Sequence, residues 1–224
     1  MDLTTPRHEG GTHPAYANSR PEVVALVPPH AVRVLDVGCS SGHLGAALMA
    51  RGHRVVGLEL DPVLAAEARS RLGTVHEVDL EVAIADGERY GDFDCVVLAD
   101  VLEHLRDPWR AVRWARAQLG DGGSLVISVP NVRHLRTFWH LAVHRRWLYE
   151  DVGIHDRTHL RFFARANLPD LLAGTDLEIV DLRRTFLVTP HWDSRGARWN
   201  KHAHRLRELG ALQFVFRAEP RSAS

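Results

Sequence analysis

The chain has 224 residues, enough for one domain with a lid or insertion. Hydrophobic residues make up 45% and charged residues 25%, the balance of a globular chain with a buried core. Its 28 basic and 28 acidic side chains cancel, which argues against an extended nucleic-acid surface. The two cysteines, Cys39 and Cys95, lie in apolar stretches without a disulfide framework, so a cytoplasmic location is expected. The polar start "MDLTTPRHEGGTHP" has no apolar signal core, and no run is long enough to cross a bilayer. No membrane partner is expected; the oligomeric state stays open.

Residues 1–15 read as a disordered N-terminus, ahead of a single domain over 16–220. Ser19 is a candidate N-cap for a short helix with Pro21 in its first turn, ended by "PPH". "VRVLDV" (32–37) is a buried strand, and "HLGAALMARG" (43–52) a helix closed by Gly52. "RVVGLEL" (54–60) is the next strand. "DPVLAAEARSRLG" (61–73) is a helix with Asp61 as N-cap, Pro62 at N1 and Gly73 as stop. Strands follow at 74–80 and 94–100, then a helix over 107–120 with the same Asp-Pro start, and a strand at 124–130. This alternation implies an α/β fold with a mostly parallel sheet covered on both faces. Residues 131–163 break the pattern and read as an insertion or lid, rich in His, Arg and aromatics, with a helix over about 133–146. A helix (164–175), a strand (177–187) and a last strand (211–219) complete the chain. The polar stretch 190–208 reads as a loop with a short helix.

"VLDVGCSSGHLG" (34–45) raises the question of a ligand. In an open α/β sheet, ligands bind at the carboxyl ends of the strands, at the switch point. Gly38 and Gly42 allow a tight turn and close backbone approach. The spacing is not that of a dinucleotide loop, and Asp36 repels a pyrophosphate while attracting a sulfonium or ammonium. Glu59 closes the second strand, where a carboxylate accepts both ribose hydroxyls. Asp79 closes the third, where a base edge would lie. Together they describe a nucleoside with a cationic, phosphate-free tail.

"VLDVGCSSG", "VVGLELDP", "DFDCVVLADVLEHLRDP" and "LGDGGSLVISVPN" resemble the successive motifs of class I S-adenosylmethionine methyltransferases. They are similar to the branch of small-molecule O-methyltransferases that includes those of ubiquinone biosynthesis. The likeness covers about residues 30–185, and "GIHDRTHLRFFAR" resembles bacterial members found near sugar and natural-product genes. It implies a Rossmann-like seven-stranded sheet with the last strand antiparallel. The family usually has Gly where this chain has Ser40. Candidate cofactor contacts are Asp36, Gly38, Cys39, Ser40, Gly42, Glu59, Leu60, Asp79, Leu80 and Asp100. By resemblance, Tyr16 and Arg20 fold over the cofactor's carboxylate.

Asp100, Glu103 and His104 in "DVLEHL" stand at i, i+3 and i+4, one face of a helical turn. They could hold the loop, shape the acceptor pocket, or bind a divalent metal with His155 or His159, as in metal-using small-RNA 2′-O-methyltransferases. The first is favoured and no metal is expected. The insertion occupies the acceptor's slot, so His155 or His159 is the candidate general base. The reading is a methyltransferase acting on a hydroxyl of a small natural product or sugar-type acceptor, with no nucleic-acid partner. The alternatives are N-methylation, metal-dependent RNA 2′-O-methylation, and a non-catalytic binding module.

Overall fold

In the computed structural model, residues 19–186 and 207–221 are described. Fourteen elements follow in chain order: α1 (Pro21–Val24), β1 (Arg33–Val37), α2 (His43–Met49), β2 (Arg54–Glu59), α3 (Pro62–Leu72), β3 (Thr74–Glu77), α4 (Leu80–Asp86), β4 (Phe93–Ala99), α5 (Pro108–Ala117), β5 (Leu119–Pro130), α6 (Leu135–Ala142), α7 (Leu168–Leu171), β6 (Leu177–Thr185) and β7 (Gln213–Pro220). The strands form one seven-stranded sheet in the order β3-β2-β1-β4-β5-β7-β6. β1 to β5 pair in parallel, and β7 enters between β5 and β6, antiparallel to both. The expected Rossmann-like α/β class is the observed one.

Side chains alternate across the sheet with period two. Leu35 and Val37 join a core with Ile84 of α4, Trp114 of α5 and Leu168 of α7. Val34 packs on the other face against Val23, Leu48 and Ala68 of α1, α2 and α3. Asp36 shares parity with Val34 and points into that second face. The chain reverses between β3 and β4, so β1 and β4 flank the switch point.

Several boundaries differ from the sequence reading. Ser19 is not the cap of α1; Arg20 is, in a left-handed conformation without a side-chain cap bond. α2 ends at Met49 instead of reaching Gly52. β3 stops at Glu77, because Asp79 caps the unforeseen helix α4 by accepting from Glu81 N at 2.9 Å. α5 stops at Ala117, and the glycine stretch after it is extended, with Leu119 paired to Phe93. The helix expected over 164–175 is a 3-10 turn, Arg165–Asn167, and the short α7. Asp61 and Asp107 cap α3 and α5 as anticipated, accepting from Val63 N at 2.8 Å and Arg110 N at 2.9 Å. Residues 1–18 and most of 190–208 lie outside the described residues; 207–210 are helical.

Candidate active site

The loop after β1 is built from three residues at positive φ: Gly38 (69°), Ser40 (49°) and Gly42 (84°). The backbone N–H groups of Gly38 and Cys39 both donate to Leu58 O of β2, at 2.8 and 2.9 Å. A Cβ at Gly38 would come 2.7 Å from Val101 Cγ2, and one at Gly42 3.1 Å from Ala68 Cα of α3. These glycines therefore let the loop turn and let α2 close on α3. Ser40 adopts the same region with a Cβ, at a cost of about 1–2 kcal/mol for an L-residue.

Glu59 holds this loop to the end of β2. Its carboxylate accepts from Ser40 N at 2.8 Å through Oε2, and from Leu60 N and Asp61 N at 2.9 Å through Oε1. An acid expected to hold ribose hydroxyls thus also organises three backbone N–H groups. A carboxylate offers about four lone-pair sites, which leaves room for a ligand hydroxyl. Asp36 lies beside it, 1% exposed, and its Oδ2 has no hydrogen-bond partner. Burial and the nearby Glu59 push its carboxyl up to about 7. An incoming cation would favour the ionised form. Burial also pushes the Cys39 thiol up, which removes it as a nucleophile.

Two more candidates line the same edge. Leu60, at the end of β2, is 60% exposed, and Leu80 is half-buried at the start of α4. Asp79 is exposed, and its Oδ1 is used in capping α4, toward Glu81 N and Val82 N. Its Oδ2 carries no hydrogen bond among the described residues.

Arg20 and Asp100, both expected to contact the cofactor, contact each other. Each is a non-glycine residue at positive φ, 49° and 58°. Arg20 Nη1 pairs with Asp100 Oδ2, and Nε pairs with Glu22 at 2.5 Å. Nη2 reaches Ser128 Oγ at 2.9 Å and Gln213 Oε1 at 3.0 Å. Ser128 Oγ and Gln213 Nε2 each donate to Asp100 Oδ1 at 3.0 Å. The network ties the entry to α1 to the ends of β4, β5 and β7. Ser128 and Gln213 escaped the sequence reading; their signal is a polar side chain in an otherwise apolar strand. Tyr16 lies outside the described residues.

Glu103 and His104 form a 3-10 turn with Leu102 just beyond β4. Glu103 is 1% exposed and neither carboxyl oxygen has a hydrogen-bond partner. Burial, then Asp100, hold its carboxyl well above the usual carboxylate range. Glu103 O accepts from Leu160 N and Arg161 N at 2.8 and 3.0 Å, so the insertion folds back onto this turn. That contact brings His159 to His104, with ring centroids 4.8 Å apart. Glu103, His104 and His159 each place one ligand-capable atom within 4.8 Å of the others. His104 Nδ1 is 3.0 Å from Thr158 Oγ1, whose hydroxyl donates to Asp156 at 2.6 Å. His159 Nδ1 lies 3.2 Å from Ile154 O. A carbonyl only accepts, so the proton is assigned to Nδ1 and the lone pair to Nε2. Burial, then His104, lower the His159 pKa, keeping the ring neutral near pH 7.

His155 has a different setting from its partner in the sequence reading. It is 1% exposed, its Nε2 is 2.9 Å from Thr137 Oγ1, and Trp147 packs edge-on at 5.2 Å. It joins α6 to the rest of the insertion. The structure brings His159, and not His155, into the cluster with Glu103 and His104, and Asp100 is engaged by Arg20. α6 covers Leu135–Ala142, shorter than the helix expected over 133–146.

Comparisons with known proteins bear on the family and the fold. The ubiquinone biosynthesis O-methyltransferase of Xanthomonas axonopodis pv. citri (strain 306) is 35% identical over 113 residues, covering 49% of this chain and 47% of that protein. The chain thus spans about half the length of that relative. The enzyme of the same name from Vibrio parahaemolyticus serotype O3:K6 is 29% identical over 151 residues, covering 65% and 63%. A solved S-adenosylmethionine-dependent methyltransferase from Thermotoga maritima, a possible histamine N-methyltransferase, superposes with a TM-score of 0.65 at 18% identity, covering 92% and 89% of the two chains. The N-methyltransferase NodS from Bradyrhizobium japonicum WM9, solved with S-adenosyl-L-homocysteine, gives 0.55 at 17% identity, covering 86% and 79%. Residues 12–182 match the family described as methyltransferase domain, three quarters of the sequence, and the chain belongs to that family.

Proposed function

We propose that the chain is an S-adenosylmethionine-dependent methyltransferase acting on a hydroxyl of a small molecule, a natural product or sugar-type acceptor, in the cytoplasm. The observation that carries this reading is the loop after β1, fastened to the Glu59 carboxylate beside the buried, unpartnered Asp36. The ubiquinone-biosynthesis names of the curated relatives favour oxygen over nitrogen as the acceptor. The cancelling charge gives no support to a nucleic-acid acceptor.

When bound, S-adenosylmethionine supplies a methyl carbon made electrophilic by its sulfonium. This chain's residues do the rest. Glu59 accepts ribose hydroxyls while holding the loop. Asp36 supplies negative charge behind β1, which favours a cation at the strand ends. Leu60 and Leu80 offer apolar surface to the base, and Asp79 Oδ2 accepts from its edge. His159 Nε2 takes the acceptor's hydroxyl proton, a task suited to a neutral imidazole. The insertion excludes water and aligns the acceptor.

A second reading rests on the convergence of Glu103, His104 and His159. One carboxylate and two imidazoles suit a divalent transition ion, which would orient the acceptor oxygen and ease its deprotonation. Incubation with S-adenosylmethionine and a panel of hydroxylated small molecules, read by intact mass, tests the proposal. The expected result is a one-methyl gain that requires the protein. Failure across phenols, sugars and amines, with cofactor binding intact, would leave the non-catalytic module.

A further inference from the structure

Helix α6 is turned the wrong way for an ordinary surface helix. Its one buried residue is Thr137, which bonds to His155. Leu135, Phe138 and Trp139 are 58%, 46% and 55% exposed, and Ala142 is exposed as well. These four stand at i, i+3, i+4 and i+7, a single apolar stripe. In a globular chain such a stripe faces the core; here it faces out.

The charge around the stripe is one-sided. No Asp or Glu occurs from residue 122 to 149, while Arg133, Arg136, Arg145 and Arg146 all do. Arg136 is paired with Glu150 at 2.9 Å and Arg133 with Glu208 at 3.7 Å. Arg145 and Arg146 are exposed and make no ion pair among the described residues. Arg145 sits at φ 52°, where the chain turns out of the helix. The segment therefore presents an apolar stripe with free cations just past its end, in a protein whose total charge is zero.

We propose that α6 and the turn after it dock on an anionic lipid surface, lying in the plane of the headgroups. Short helices bind there by burying apolar side chains while arginines meet lipid phosphates. Trp139 suits that boundary through its exposed apolar ring, while its Nε1–H donates to His144 Nε2 at 3.1 Å. A nucleic-acid partner would meet the arginines but leave Leu135 and Phe138 in water. An apolar protein groove would leave Arg145 and Arg146 without a complement. The proposal departs from the sequence expectation of no membrane partner; among the described residues no helix is long and apolar enough to cross a membrane, and docking on its surface needs none. The inference does not rest on methyl transfer and would hold for a non-catalytic chain.

The test is co-sedimentation of the full chain with vesicles of phosphatidylglycerol and phosphatidylcholine, compared with phosphatidylcholine alone. Binding is expected only with the anionic lipid, and it should weaken with added salt. Leu135→Ser/Phe138→Ser should lower partitioning by about tenfold or more, through lost apolar burial. Arg145→Gln/Arg146→Gln should lower it about 25-fold, from about fivefold per arginine. The side chains replaced are exposed, so thermal melting should stay close to wild type and certify the fold. Absence of binding to anionic vesicles overturns the proposal. So does binding that both double variants retain. Self-association that the apolar variant abolishes, without vesicle binding, would make a second copy the occupant instead.

Discussion

Ser40 donates its backbone N–H to the Glu59 carboxylate at 2.8 Å, joining the β1 loop to the end of β2. The acid assigned to the ribose is thus also the acid that shapes the loop. Glu59→Gln can keep the contacts of Oε1 to Leu60 N and Asp61 N but turns an amide N–H toward Ser40 N. It should therefore lower the melting temperature less than Glu59→Ala does, while weakening S-adenosylmethionine binding by about 1–3 kcal/mol. Glu59→Ala removes all three backbone contacts and should lower both melting temperature and affinity. Calorimetry and thermal melting on the pair separate the two roles; equal affinity in Glu59→Gln and wild type would remove Glu59 from the ligand.

Ser40 holds a conformation that glycine adopts freely. Ser40→Gly should stabilise the protein by about 0.5–1 kcal/mol, the relief of strain exceeding the entropy gained by the unfolded chain. Urea denaturation reads this directly. A loss of stability would mean that the Ser40 side chain contributes more than its position costs.

Asp36 links stability to pH. Its folded pKa, about 7, is raised above the ordinary 3.8, so the folded state holds the proton more tightly. Its contribution is fully present below pH 3.8 and is lost as pH rises through about 7, a range on the order of 4 kcal/mol. Asp36→Asn should flatten that decline in the ligand-free protein. The ionised carboxylate should favour the sulfonium over the neutral thioether, so S-adenosylmethionine affinity should rise relative to S-adenosylhomocysteine between pH 6 and 8. A ratio independent of pH would place the charge elsewhere.

The two histidines should separate by phenotype. His159→Ala should lower turnover by about 10²–10⁴-fold with little change in cofactor affinity. His155→Ala should instead lower the melting temperature, because it leaves Thr137 unpartnered and opens a space beside Trp147. Near wild-type turnover in a well-folded His159→Ala would end its assignment as base.

The chelator experiment decides between loop-holding and metal binding at Glu103, His104 and His159. On the favoured reading, turnover survives EDTA and no divalent ion is recovered with the protein. Loss of turnover restored by a divalent ion would establish the second reading.

The Asp-Pro starts at 61 and 107 and the apolar runs of β1, β2, β4 and β5 were legible because capping and period-two burial are local. α4 was missed although Asp79, Ala83 and Ile84 carry its signal, because "TVHEVDL" reads equally well as one strand. Glu59 was legible from its place at a strand end. Its grip on Ser40 was not, because that bond spans 19 residues. His155 and His159 look alike in sequence. Only the return of Leu160 to Glu103 O separates a histidine in the Glu103 cluster from one inside the insertion. The pairing of Arg20 with Asp100, 80 residues apart, has no local signal at all.

The roles proposed for Asp36, Glu59 and Asp79 all depend on S-adenosylmethionine binding at the ends of β1, β2 and β3. Isothermal titration of the folded wild-type chain tests it most directly. Saturable one-site binding of both S-adenosylmethionine and S-adenosylhomocysteine is expected, weakened in Glu59→Gln. No binding of either ligand by folded protein would contradict it.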